Sequence, residues 1–596
     1  MRKDMNPLVS VSPFGGTLVE EQVAGATSGN LNPENNVETG RGRDRSMFVY
    51  VPKSGCPHPK QTKVLMVLRD EATLQSAQEL LDGLGIAELA EEGHFVVVFP
   101  NPLEEGWNYA LDAEREDDAA FIVRCFAALP GSKGGVVGFN GMICHLATTP
   151  ASSAMVTSLA LTRPLDAAAV MVGSVPEGYE LPNAPRAQQV AWVYGFNPQF
   201  EQWVAEVDEA TVPSIPTKGV SHVANADNPA VGLFCSEDGL TADTMRLAWD
   251  LMFEDVRRWR NDTYGIYEPR PDFDALGFVA HVRDTSLGLA DGLPRTWYEY
   301  VPARLRNATD PVPLVFYLHG INCCGLYGAE QSGWIKIAER EGLAVVFPDA
   351  TIEDRWNGWD DPRLPSDMDF VMALIEHMAQ VVPVDRRRIY ASGFSMGSMM
   401  TNALASAHPD VFAGAIALNG PHQSYLTTLD QSAPMLLAFK RTSVLRDLEP
   451  SGQDASTLRA VADGKKDAFA YRMPVVQFVG LADGMGLPSG RAWPLTEADE
   501  SLWKGTLSYW LAYDNCGELG FDAAAPSGFA SDTLERVGER FNVQGWRSAD
   551  DGAPELYRFV TVDRLEHAVD PRALELGWQY VRGYAREADG SLTYTK

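Results

Sequence analysis

No apolar run in this 596-residue chain is long enough to span a bilayer, and residues 1–30 hold none of signal-peptide length. The expectation is a cytoplasmic protein with no membrane association. Cysteine is sparse: seven residues, an odd number, scattered without any CxxC spacing. That pattern excludes a disulfide framework and a cysteine zinc site. Positive charge is short as well, with 49 Lys and Arg against 80 Asp and Glu, a net charge of -31. Nucleic acid and anionic membranes both require clustered Lys and Arg, so neither is an expected partner.

What is present is enough apolar residue for two cores, since a chain of this length exceeds the size at which one core stops growing. The chain also resembles itself. Phe48 to Pro52 parallels Tyr298 to Pro302; the run ending FVVVFPN at Asn101 parallels AVVFPD at Asp349. Trp107-Asn108 and Trp356-Asn357 follow these in the same order. Val136 to Asn140 then matches Ala391 to Ser395, and Pro229 to Gly239 matches Pro474 to Gly484. These collinear matches predict two tandem domains, 1–265 and 276–596, divided in the polar stretch from Asn261 to Ala275. In each, short continuous apolar runs alternate with helical patterns. The expected fold is α/β: two tandem α/β-hydrolase-like domains, each a mostly parallel sheet with helices on both faces.

Gly393-Phe394-Ser395-Met396-Gly397 fits G-x-S-x-G between the strand-like RRRIYAS and the helix-like SMMTNALASAH. A serine on such a sharp turn presents Oγ at a helix N-terminus, where N–H groups and the helix dipole favour negative charge. Serine needs a base, and the base a carboxylate, in the chain order Ser, acid, His. Asp483 ends the apolar run PVVQFVG. Of the histidines after Ser395, His408 lies on the elbow helix and His422 precedes the acid, which leaves His567. The expected oxyanion donors are the N–H of Met396 and one from the loop after Leu318-His319-Gly320, with Ile321 the first candidate and Asn322 the second. Trp334, Trp356 and Trp359 are candidates to line a substrate pocket, or else packing residues. Neither a metal nor an organic cofactor is required.

Residues 312–420 resemble the poly(3-hydroxybutyrate) depolymerase and feruloyl esterase family of α/β-hydrolases. The likeness rests on LHG (318–320), SGW and IAEREGLAVVFPD (332–349), Trp356-Asn357, VDRRRIYASGFSMG (384–397) and the later Asn515-Cys516. It implies hydrolysis of a small-molecule or oligomeric carboxylic ester through Ser395, Asp483 and His567. Two features depart from the family: Glu566-His567-Ala568 replaces its usual GHxWP, and an insertion at about 421–471 is a possible lid. A serine peptidase or amidase of the same fold is the alternative reading, and a pseudo-hydrolase binding protein a third. In the first half Asn140 stands opposite Ser395, Arg69-Asp70 opposite His319-Gly320 and Asp238 opposite Asp483, with no histidine to follow. That half reads as non-catalytic, a structural partner or a vestigial ligand-binding domain.

Overall fold

The computed structural model describes residues 8–11, 14–25, 42–55, 61–129, 144–352, 354–358, 364–422, 471–487, 490–499, 501–549 and 555–595. The chain divides into two compact units, Met1–Arg270 and Pro271–Lys596.

In the second unit the strands are β1 (Val279–Asp284), β2 (Arg295–Tyr300), β3 (Val312–Leu318), β4 (Ala344–Pro348), β5 (Val384–Phe394), β6 (Gly414–Leu418), β7 (Val475–Gly480), β8 (Thr533–Val537), β9 (Phe541–Arg547) and β10 (Glu555–Val562). The helices used below are α1 (Gly325–Ser332), α2 (Trp334–Glu341), α3 (Asp367–Val381), α4 (Met396–Ala407), α5 (Leu502–Tyr513) and α6 (Pro571–Val581). They form one ten-stranded sheet in the order β1-β2-β4-β3-β5-β6-β7-β10-β9-β8. The stretch from β4 to β10 is parallel and the two edges are antiparallel. Its central strands are buried throughout, as β3, β4, β6 and β7 show, because helices cover both faces. One core packs α3, α4 and α5 against the sheet, and another packs α2 and α6.

The first unit repeats this plan in an eleven-stranded sheet. Its parallel strands, in chain order, are Val64–Leu68, Val96–Pro100, Cys144–Thr148, Ala169–Val172, Val190–Tyr194 and Gly232–Ser236. They lie in the order second, first, third, fourth, fifth, sixth, the same as the parallel strands of the second unit.

The strand pairing corrects the alignment of the two halves. Leu318 on β3 pairs with Gly393, and Leu68 pairs with Thr148. The counterpart of Ser395, two residues beyond Gly393, is therefore Pro150, two beyond Thr148. Asn140 lies outside the described residues. Asp238 follows the sixth parallel strand, whereas Asp483 follows the fifth. The fifth strand of the first unit instead ends at Tyr194 and runs into Gly195. Among the described residues the run that pairs with Val64–Leu68 is Cys144–Thr148, which lies beyond the stretch that the sequence comparison aligned.

Candidate active site

β5 feeds directly into α4, and Ser395 takes up the whole turn, with φ 54° and ψ -117°. The glycines on either side are required by space. A Cβ on Gly393 would stand 2.4 Å from the Gly397 carbonyl oxygen, and one on Gly397 2.0 Å from the Leu318 carbonyl oxygen. The turn therefore presses the start of α4 against the end of β3, and Ser395 remains 8% exposed at the C-terminal edge of the sheet.

The three side chains singled out from sequence meet there. Ser395 Oγ lies 2.9 Å from His567 Nε2, and His567 Nδ1 lies 2.7 Å from Asp483 Oδ2. An ionised carboxylate only accepts, so Nδ1 carries the proton donated to Asp483, and the Nε2 lone pair faces the serine hydroxyl. Asp483 is fully buried, and its other oxygen accepts the Met485 N–H at 2.8 Å. His567 sits in the loop between β10 and α6, with its ring 5.0 Å from that of Phe394. His422, by contrast, is buried against Tyr509 and Trp510, and burial pushes its pKa down to about 3.

A residue the sequence reading passed over ties this assembly together. Asn419, just past β6, donates through Nδ2 to the carbonyls of Glu566 and Ala568, each at 3.1 Å. Its Oδ1 accepts the Gly480 N–H at 2.8 Å. One buried amide thus fixes both the loop that carries the histidine and the strand that ends at the acid. Its only signal in the sequence is an Asn-Gly pair after a strand, which reads as a turn.

The oxyanion loop is clamped from several sides. His319 Nε2 accepts the Ala350 N–H at 3.0 Å, so Nδ1 carries the proton and donates to the Gly320 carbonyl at 2.7 Å. The same carbonyl accepts the Cys323 N–H at 3.2 Å. Carbonyl and N–H point opposite ways in a trans peptide, so the Ile321 N–H is turned away from these groups. Asn322 N–H is committed to the Asp354 carbonyl at 3.1 Å, which removes Asn322 from the candidates. Gly320 allows close approach: a Cβ there would stand 3.4 Å from the Ser395 Cβ. At the head of α4, Ser395 provides no side-chain cap, leaving the Met396 N–H at an uncapped helix start.

Of the two readings given for the tryptophans, Trp334 and Trp356 take the packing one. Trp334 is fully buried, donates its indole N–H to Ser392 Oγ at 3.3 Å and packs edge-on against Trp578, so it presents no face to a ligand. Trp356 is 2% exposed and donates to the His319 carbonyl at 2.7 Å, bracing the oxyanion loop from behind. Its neighbour Asn357 is held through its N–H by Asp367 at the start of α3. Trp359 lies outside the described residues, as does the insertion apart from its ends, from 423 to 470.

The first unit keeps the same brace. Trp107 donates to the Arg69 carbonyl at 2.8 Å, and the Asn108 N–H donates to Asp118 at 2.6 Å, the same contacts as at Trp356 and Asn357. In place of His319, Arg69 is buried and donates to the Pro100 carbonyl and to Asn101 Oδ1. Pro150, opposite Ser395, carries no hydroxyl or thiol.

An open parallel sheet with a serine on a strained strand-to-helix turn, a histidine after its last parallel strand and a buried aspartate after the strand before that has the architecture of an α/β-hydrolase. A model of the prolyl oligopeptidase family, which shares this architecture, matches residues 365–463. Among curated proteins the chain is 32% identical over 132 residues to poly(3-hydroxyalkanoate) depolymerase C of Paucimonas lemoignei, covering 21% of this chain and 30% of that one. It is 29% identical over 131 residues to feruloyl esterase B of Talaromyces funiculosus (21% and 35%). It is 28% identical over 142 residues to a probable acetylxylan esterase A of Aspergillus flavus (22% and 45%). The chain spans less than half the length of these relatives. The resemblance to depolymerases and feruloyl esterases read from the motifs is thus met by proteins of both names. Among the described residues, no helix is long and apolar enough to cross a membrane.

Proposed function

We propose that the second unit is a serine hydrolase of carboxylic esters working through an acyl-enzyme on Ser395. The observation that carries this is the continuous hydrogen-bonded chain from Ser395 Oγ through His567 to Asp483, at 2.9 and 2.7 Å. As Oγ attacks the ester carbonyl carbon, His567 Nε2 takes its proton and Asp483 stabilises the imidazolium. The carbonyl oxygen gathers negative charge, which the N–H groups of Met396 and Ile321 receive. Collapse breaks the ester C–O bond, and His567 returns the proton to the departing alcohol. Water, deprotonated by the same imidazole, then releases the acid and restores Ser395.

The relatives' names place acetyl, feruloyl and hydroxyalkanoate esters first among substrates to try, and a net charge of -31 argues against nucleic acid. The prolyl oligopeptidase match favours one competing reading, an amidase of the same fold. Initial rates across acetyl, butyryl, feruloyl and hydroxybutyrate-oligomer esters, beside matched amides, test the proposal. Rapid fluorophosphonate labelling at Ser395 with turnover of at least one ester supports it. Labelling with turnover of amides alone would establish the alternative, and no labelling at Ser395 would defeat both.

The first unit is proposed to be a duplicated copy that has lost catalysis, since Pro150 and Arg69 stand where nucleophile and oxyanion loop are needed.

A further inference from the structure

We propose that the antiparallel edge of the second unit binds a divalent transition-metal ion of the zinc type through His281, Glu299 and His377. His281 lies on β1, Glu299 on β2 and His377 on α3, and their ligand atoms all fall within 4.8 Å of one another. His377 Nε2 is 2.6 Å and His281 Nε2 3.0 Å from Glu299 Oε1. Two imidazoles and one carboxylate are a donor set suited to zinc, with a fourth position left for water.

Several features mark this as a built site. Glu299 is a carboxylate only 2% exposed. His281 Nε2, although 3.0 Å from Glu299 Oε1, is buried and makes no hydrogen bond.

The supporting shell is present as well. His281 Nδ1 lies 3.3 Å from Asp284 Oδ2, the carboxylate contact that orients a metal-binding histidine. A register shift between His281 and Asp284 makes this possible, because residues three apart on a regular strand face opposite ways. Arg283, inside the irregular stretch, has φ 52°. The His281 ring stacks on Trp297 at 4.2 Å, and Trp297 Nε1 donates to Glu299 Oε1 at 2.8 Å, which holds both ligands in place.

At zinc-to-nitrogen distances of about 2.0–2.1 Å, tetrahedral donors stand roughly 3.3 Å apart. His281 therefore needs only a small adjustment, and His377, on a helix face 22% exposed, moves out by roughly 0.7 Å. A cleft of about 170 Å³ lined by Glu299, Val279, Val301 and Arg306 lies on the Glu299 side of the cluster. The ion would clip β1 and β2 to α3.

The test uses the full chain, treated with chelator and desalted, then titrated with Zn²⁺ and followed by calorimetry and elemental analysis. One equivalent is expected to remain bound and to raise Tm. That equivalent should persist in His567→Ala, which removes the histidine beside Ser395, and be lost in His281→Ala/His377→Ala. Asp284→Asn should weaken binding by about 10- to 100-fold. Co²⁺ bound to the unsubstituted protein should give the visible bands of a tetrahedral nitrogen and oxygen site, which does not depend on any variant folding. The proposal is overturned if no zinc is retained, if the double variant keeps its equivalent, or if Co²⁺ gives only an octahedral spectrum. The readout is metal content, so it stands or falls apart from the role of Ser395.

Discussion

The two units of this chain share one arrangement of six parallel strands, and each holds its oxyanion-side loop with a tryptophan bonded to a backbone carbonyl, Trp356 to His319 and Trp107 to Arg69. Only the second adds Ser395, His567 and Asp483 in contact. The difference teaches that the brace belongs to the fold and the chemistry to a few positions on it. It also separates two kinds of importance, because a substitution that harms both units alike reports on packing.

The largest expected effect tests that division directly. Ser395→Ala should lower kcat for the best ester by roughly a million-fold with the fold intact, as loss of a triad serine does elsewhere. Pro150→Ser in the first unit should produce no fluorophosphonate-reactive residue and no turnover in the Ser395→Ala background. Labelling at residue 150 would break the comparison. Asp483→Asn should cost about 10⁴-fold, because the amide leaves His567 in the wrong tautomer.

Asn419→Ala comes next. It should lower kcat by about 10²-fold with KM little changed, since His567 is displaced while no substrate contact is lost. An equal rise in KM would instead place Asn419 in the substrate pocket. The two tryptophans sharpen the contrast further. Trp356→Phe and Trp107→Phe should each destabilise their unit by about 1 kcal/mol through loss of the indole hydrogen bond, measured by denaturant unfolding. Only Trp356→Phe should also reduce kcat, by about tenfold. A matching loss from Trp107→Phe would mean that the first unit contributes to the reaction.

The smallest effect is a pH dependence. Asp118 pairs with Arg45 in the first unit, whereas Asp367 at the equivalent loop accepts from neutral donors, and burial raises its pKa from 3.8 to about 6. A carboxyl raised in the folded state favours folding while protonated. Its contribution is complete below about pH 4 and is lost as pH rises through about 6, on the order of 3 kcal/mol. Asp367→Asn should remove that slope from the Tm profile of the second unit. A slope unchanged in the variant would assign it to other carboxyls.

Ser395 was legible because G-x-S-x-G sits where an apolar strand pattern turns helical, and that local pattern is what the elbow needs. His567 emerged from the small number of histidines and their order. The register of the first unit was not legible: CHLATTP is one apolar run among several before a polar turn, and only its pairing with Val64–Leu68 marks it out. Nor was the role of the tryptophans, since Trp334 and Trp356 differ from pocket residues only in what surrounds them. His281, Glu299 and His377 are far apart in sequence with no motif spacing, and a one-residue strand irregularity brings Asp284 alongside them.

The backbone of Ser395, at φ 54° and ψ -117°, sits where a non-glycine residue pays about 1–3 kcal/mol. Thermal robustness and reactivity therefore pull this position in opposite directions: glycine there would suit the turn better and end the chemistry. The corresponding turn of the first unit shows the relaxed alternative, with Thr149 at φ -70° and ψ 160° leading into Pro150. On the proposal that the first unit is a duplicated copy, decay of the elbow is a downhill drift, and the road back runs uphill, through the strained conformation that Ser395 holds.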